Sequence, residues 1–146
     1  MVITILIAFA LVAVTVAVHA CGLAVLVKSL RKRPNWRSAH DWHLVGHLIL
    51  TAFWLILLHV AEISTWGLFY LWSGCLPDLE AALYFSGVTY TTIGYGDLVL
   101  PTPWRILAPI EGMTGVLMGG LSASVFFVIV QQIIQAHRSK ATGRTP

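Results

Sequence analysis

Residues 78–97 read DLEAALYFSGVTYTTIGYGD, and this stretch decides the fold. Pro77-Asp78 followed by Glu80 makes a helix start, with acids in the first turn. The spacing predicts a helix to about Tyr90, roughly 18 Å long and so about half a membrane deep. Its C-terminal end carries partial negative charge, which would stabilise a cation resting there. Thr91-Thr92-Ile93-Gly94-Tyr95-Gly96-Asp97 follows, with glycines at alternating positions that take left-handed backbone angles at no steric cost. A strand alternating between left- and right-handed residues can turn successive carbonyls to one side. Set around an axis, such strands offer stacked oxygen rings that replace the water shell of a cation. Ile93 and Tyr95 then point away from the axis and brace the ring from outside.

The surrounding chain explains why a half-membrane segment belongs here. Of 146 residues, 58% are hydrophobic and only 10% charged, with mean hydropathy +0.82. Soluble domains carry about 25% charged residues, so a soluble enzyme and a disordered chain are both excluded. Three stretches are long and apolar enough to cross a bilayer of roughly 30 Å. They run from Ile3 to Val27, from Leu44 to Ala61 and less cleanly on to Trp72, and from Trp104 to about Ala136. Val18-His19-Ala20-Cys21 loosely resembles a lipoprotein cleavage site. No positive charge precedes that apolar run, however, and it continues past Cys21, so it is expected to be an anchor helix.

Charge sets the expected orientation. Lys28, Arg31, Lys32, Arg33 and Arg37 lie between the first two spans, and Arg138, Lys140 and Arg144 follow the third. Only Arg105 lies elsewhere. By the positive-inside rule the loop and tail are cytoplasmic and the N-terminus is outside, in a multi-pass protein of the cell membrane. The segment from Leu79 to Leu100 then enters and leaves on the outer side. Irregular backbone at membrane depth is tolerated only inside protein or along a watery path, which points to a pore or transport site. The basic loop reads as a topology signal, and no nucleic-acid partner is expected.

Thr-Thr-Ile-Gly-Tyr-Gly-Asp at 91–97 resembles the selectivity-filter signature of potassium channels. The order of outer helix, half-membrane pore helix, filter and inner helix is also similar to the small bacterial-type pore domains of that family. The resemblance covers residues 44–136. Residues 1–43 remain as an extra N-terminal transmembrane helix with a basic cytoplasmic loop, and 137–146 as a short tail. The implied fold is an all-α membrane protein: three transmembrane helices plus a re-entrant pore helix and filter, assembled as a homotetramer because a ring needs four loops. The resemblance implies K⁺ as permeant ion and membrane lipid as surroundings, with no cofactor. It gives Thr92 a hydroxyl and a carbonyl at the cavity end, with K⁺ held at Thr92, Ile93, Gly94 and Tyr95. Gly96 closes the strand and Asp97 lies behind its outer mouth.

The chain also departs from the family pattern. Where many relatives carry adjacent pore-helix tryptophans it has Tyr84 and Phe85. Tyr84 can hydrogen-bond Asp97, whereas Phe85 cannot hydrogen-bond Tyr95. Val88 stands where some bacterial relatives have a carboxylate. Glu111, the only carboxylate in the apolar part of the third span, is therefore a candidate for supporting the filter, through Ser86, Thr89, Thr91 or a buried water. The opposing reading places it near outer water beside Arg105. Gly112, Gly115, Gly119 and Gly120 serve either close helix packing or a gating hinge, with Gly115, Gly119 and Gly120 as hinge candidates. Ser122, Ser124, Gln131 and Gln132 are candidates to line the cavity and cytoplasmic mouth.

Ionisable groups at membrane depth are candidates by default. His19 is the deepest histidine, His47 and His59 lie on the second span, and His59 neighbours Glu62 at i,i+3. The readings are a proton sensor or a polar contact between helices; a His/Glu metal site needs a third ligand that the sequence does not identify. Trp66, Trp72 and Trp104 read as an outer aromatic belt, with Trp36 and Trp42 on the cytoplasmic side. Cys75 is expected in the outer loop, as a free thiol or a disulfide between subunits. Voltage sensing by displaced arginines is not expected, because neither of the first two spans repeats them, and from its length the tail is not expected to carry a ligand-binding gate. Gating by pH, tension or lipid remains open, as does constitutive conduction. The expected function is passive potassium conduction, not enzymatic catalysis. The alternatives are a non-selective cation channel and an accessory, non-conducting subunit.

Overall fold

The computed structural model describes residues 2–31 and 41–141, without the side chains of 41–44, 136, 137 and 139–141. It is all-helical. The elements are α1 (Val2–Arg31), α2 (Asp41–Trp72), α3 (Leu79–Tyr90) and, after a 3-10 turn at Trp104–Ile106, α4 (Leu107–Ala141). Helices α1, α2 and α4 are each long and apolar enough to cross a membrane. Lys32, Arg33, Trp36, Arg37 and Arg144 lie outside the described residues, as do the side chains of Trp42 and Lys140.

α1 is apolar all round, so hydrophobicity does not choose its buried face. Thr4, Ala8, Thr15, His19, Gly22 and Leu26 do, at the three- and four-residue spacing of one helical stripe. Leu26 apart, the buried stripe consists of small and polar residues, while most of the large apolar ones face outward, as expected where the surrounding solvent is lipid. At Gly22 the approach is closest: a Cβ there would overlap the Leu58 side chain. Trp54 Nε1 donates to the Gly22 carbonyl at 3.1 Å, and Trp66 Nε1 to Thr15 Oγ1 at 3.0 Å. These contacts dock α1 on α2, and α1 also touches α4.

Trp66 corrects one expectation. It is wholly buried in the core with Tyr70, Phe85 and Leu107, not in a belt facing the interface. Its indole N–H finds Thr15 inside the protein, a partner that spacing within α2 cannot reveal. Trp72 is exposed and Trp104 half-buried.

Along its polar stretch α2 satisfies the Ser64 and Thr65 hydroxyls on its own Val60 and Ala61 carbonyls, at 2.7 and 2.9 Å. It ends at Gly74, whose φ of 67° reverses the chain. There Cys75 N–H bonds the Tyr70 carbonyl and Gly74 N–H that of Leu71, closing the end in a Schellman arrangement. Cys75 is free but buried, with Sγ 2.9 Å from Ser73 Oγ, so it is not an open thiol on an outer loop. Asp78 then caps α3, its carboxylate accepting from Ala81 N–H at 2.8 Å.

Candidate functional site

α3 does not simply stop at Tyr90; the chain folds back beneath its last turn. Thr91 N–H bonds the Gly87 carbonyl, Thr92 N–H that of Thr89, and Gly94 N–H that of Val88, at 3.1, 2.9 and 2.9 Å. The carbonyls left open at the helix end are thereby satisfied by the segment that follows. Along that segment Thr92, Gly94 and Gly96 have φ of 62°, 53° and 80°, while Ile93 and Tyr95 between them do not enter the left-handed region. This is the alternation on which rows of carbonyls depend. For β-branched Thr92 the conformation is disfavoured by roughly 1–3 kcal/mol, and its two flanking turns of hydrogen bonds hold it there. A Cβ at Gly94 or Gly96 would meet nothing within 4 Å, so backbone angle rather than space demands glycine. Ile93 and Tyr95 are exposed on the single chain.

At the far end of the segment, Asp97 Oδ2 accepts from the Tyr84 hydroxyl at 2.7 Å, and Oδ1 from Leu98 N–H at 3.1 Å. The Tyr84 bond holds the Asp97 carboxyl below its ordinary range, and the same bond pushes the Tyr84 hydroxyl up. Phe85 is buried and meets Tyr70 edge-on at 5.4 Å. Val88 is half-buried.

Glu111 is wholly buried, which removes the reading of a surface carboxylate; Arg105 instead donates Nε–H to the Leu100 carbonyl. Its Oε2 accepts from Tyr70 and its Oε1 from Ser86, whose hydroxyl also lies 2.8 Å from the Ile63 carbonyl. Of the three side chains named from sequence, Ser86 is the partner; Thr91 spends its hydroxyl on the Gly87 carbonyl. Tyr70 was not foreseeable, since nothing in its local pattern separates it from its aromatic neighbours. α4 presses its backbone against the end of α3. A Cβ on Gly115 would overlap the Tyr90 carbonyl and one on Gly112 would crowd that of Thr89, whereas Gly119 and Gly120 face open space. Gly115 therefore has a packing role. Ser122 is buried, and Ser124 returns its hydroxyl to the Gly120 carbonyl.

His59 and Glu62 meet as their spacing suggests, and His19 of α1 joins them. His47 lies elsewhere on α2, half-buried. On the side of α4 facing the 91–97 segment an apolar groove of about 820 Å³ opens between Val88, Thr92, Gly94, Gly112 and Met113.

No curated protein and no solved structure matches the chain. Residues 46–132, more than half of it, match the family described as ion channels. That range takes in α2 almost whole, α3, the 91–97 segment and most of α4. A half-membrane helix held between two spanning helices, with a third docked outside the matched region, thus belongs to a multi-pass membrane protein of the ion channel family and not to an enzyme.

Proposed function

We propose that four copies of the chain form a potassium-selective channel in which residues 92–96 are the filter. The observation that carries this reading is the left-handed alternation at Thr92, Gly94 and Gly96 within Thr-Thr-Ile-Gly-Tyr-Gly-Asp. Along that strand the repeated ion ligands on offer are backbone carbonyls, joined by the Thr92 hydroxyl at the cavity end, and carbonyl rings suit a dehydrated monovalent cation. In this reading Thr92, Ile93, Gly94 and Tyr95 hold K⁺, and Gly96 turns the strand outward. Four chains close the pore, with the groove beside α4 covered by the neighbouring subunit.

Asp97, tied by Tyr84, and Glu111, tied by Tyr70 and Ser86, support the filter from its two sides. The second tie does the work that Val88 leaves undone. Residues 44–136 constitute the pore domain. The N-terminus lies outside and the tail in the cytoplasm, with Gly119 or Gly120 the better placed hinge because neither is pinned against α3. The test is reconstitution of the purified tetramer in liposomes with potassium and sodium flux compared.

A further inference from the structure

The polar cluster on α1 and α2 has no part in that filter. His19 Nδ1 lies 2.7 Å from Glu62 Oε1 and His59 Nδ1 3.2 Å from Oε2, with the two imidazole rings 5.6 Å apart. The Tyr90 hydroxyl donates to Oε2 and sits 3.1 Å from His59 Nδ1. His19 and Glu62 are buried, and His59 is 23% exposed. Among the described residues Glu62 has no ion-pair partner other than these histidines. Two imidazole nitrogens and one carboxyl thus converge at a buried point between α1 and α2.

We propose that His19, His59 and Glu62 form a binding site for a divalent first-row transition metal, zinc foremost, which clamps α1 to α2 beside the end of α3. Two imidazoles and one carboxylate are the donor set such ions take, with a fourth position left open. All three ligand atoms lie within 4.8 Å of one another. Ligands at zinc's bond lengths of 2.0–2.2 Å stand about 3.3 Å apart in a tetrahedron, so seating the ion asks for small side-chain shifts. His19 is held through Nδ1 alone, since its Nε2 is buried without a partner. No second hydrogen bond opposes turning Nδ1 from the carboxylate onto a metal. The Tyr90 hydroxyl, bonded to Glu62, orients the carboxylate as outer partners of metal ligands do. Tyr90, which touches Glu62 and His59, directly precedes Thr91, so the clamp packs against the residue before the 91–97 segment.

The intact tetramer, stripped with chelator and dialysed against buffered micromolar zinc, tests this by elemental analysis and thermal melting. The expected result is one zinc per subunit, with a melting temperature raised by zinc. His59→Gln and Glu62→Gln keep hydrogen-bonding shape and should bind at least about tenfold more weakly, while His47→Gln should bind as wild type does. If either ligand variant fails to assemble, cobalt decides on the wild-type protein alone. Stoichiometric visible absorption of nitrogen- and oxygen-ligated Co²⁺, displaced by zinc, supports the site. Absence of stoichiometric metal from the wild type, or equal binding by wild type and assembled His59→Gln, overturns it and leaves a hydrogen-bonded staple. Neither outcome depends on which ion the pore selects.

Discussion

The Tyr70 hydroxyl donates to Glu111 Oε2 across 2.7 Å, joining α2 to α4 through two side chains that are both wholly buried. Ser86 brings α3 to the same carboxyl. One side chain thus holds three elements around the start of the 91–97 segment. A carboxyl turned toward lipid would be costly; buried between Tyr70 and Ser86 it is a cross-brace.

Removing the brace has a graded outcome. Glu111→Ala leaves the Tyr70 hydroxyl buried without its acceptor, a loss of about 1–3 kcal/mol per subunit, whereas Ser86 still has the Ile63 carbonyl. The melting temperature of the assembled protein should fall and channel openings shorten, with ion selectivity retained. Glu111→Gln keeps shape and an acceptor and should remain near wild type. Wild-type melting and open times in Glu111→Ala would sink the bracing role.

Glycines of α4 and of the 91–97 segment should fail in different ways. Gly96→Ala sets a Cβ at φ 80° in open space, costing about 1–2 kcal/mol per subunit. It should abolish selective flux while the oligomer still assembles. Gly115→Ala drives a methyl into the Tyr90 carbonyl and should separate α4 from α3, lowering the yield of assembled protein itself. Gel filtration and flux on the two variants separate these effects. Selective flux in Gly96→Ala, or normal assembly of Gly115→Ala, contradicts the geometry.

The three spans and the short helix were legible because lipid imposes length and apolarity on any crossing segment, and Asp78 with Glu80 marked the start of α3. The alternation at 92, 94 and 96 was legible from glycine spacing, although Thr92 shows that a β-branched residue can occupy the first such position. Ser86 with Glu111 was anticipated from the carboxylate position left empty at Val88, but the contacts between the long helices escaped reading. Thr15 with Trp66, Tyr70 with Glu111 and His19 with Glu62 each pair residues more than 40 positions apart. An all-apolar helix such as α1 carries no amphipathic signal saying which stripe faces inward. Trp66 was misread for that reason: an interfacial tryptophan and a buried one look alike until the partner of the indole N–H is known.

Acid sensitivity should report the Tyr84–Asp97 bond. Because that bond lowers the Asp97 pKa, the stabilisation is present above the ordinary aspartate range and is lost only as pH falls through the depressed value. Tyr84→Phe removes the donor, so acid applied on the Asp97 side should reduce current at a higher pH than in wild type. Current measured against pH on that side checks this. Coincident curves for the two proteins would leave the bond without a role in conduction.

Orientation is open to a labelling experiment in intact cells. Cys75 is buried, so it serves poorly as a reporter. Glu80→Cys, at an exposed position in the first turn of α3, should react with an impermeant thiol reagent from outside. Ser139→Cys should react only after the membrane is opened. Reaction of Ser139→Cys from outside reverses the proposed topology.

Potassium against sodium flux through the purified tetramer in liposomes tests the proposed filter most directly. With equal gradients of the two ions, the backbone alternation at Thr92, Gly94 and Gly96 predicts rapid potassium flux and sodium flux close to that of empty liposomes. Equal flux of both ions, or no flux of either through assembled tetramers, would contradict it.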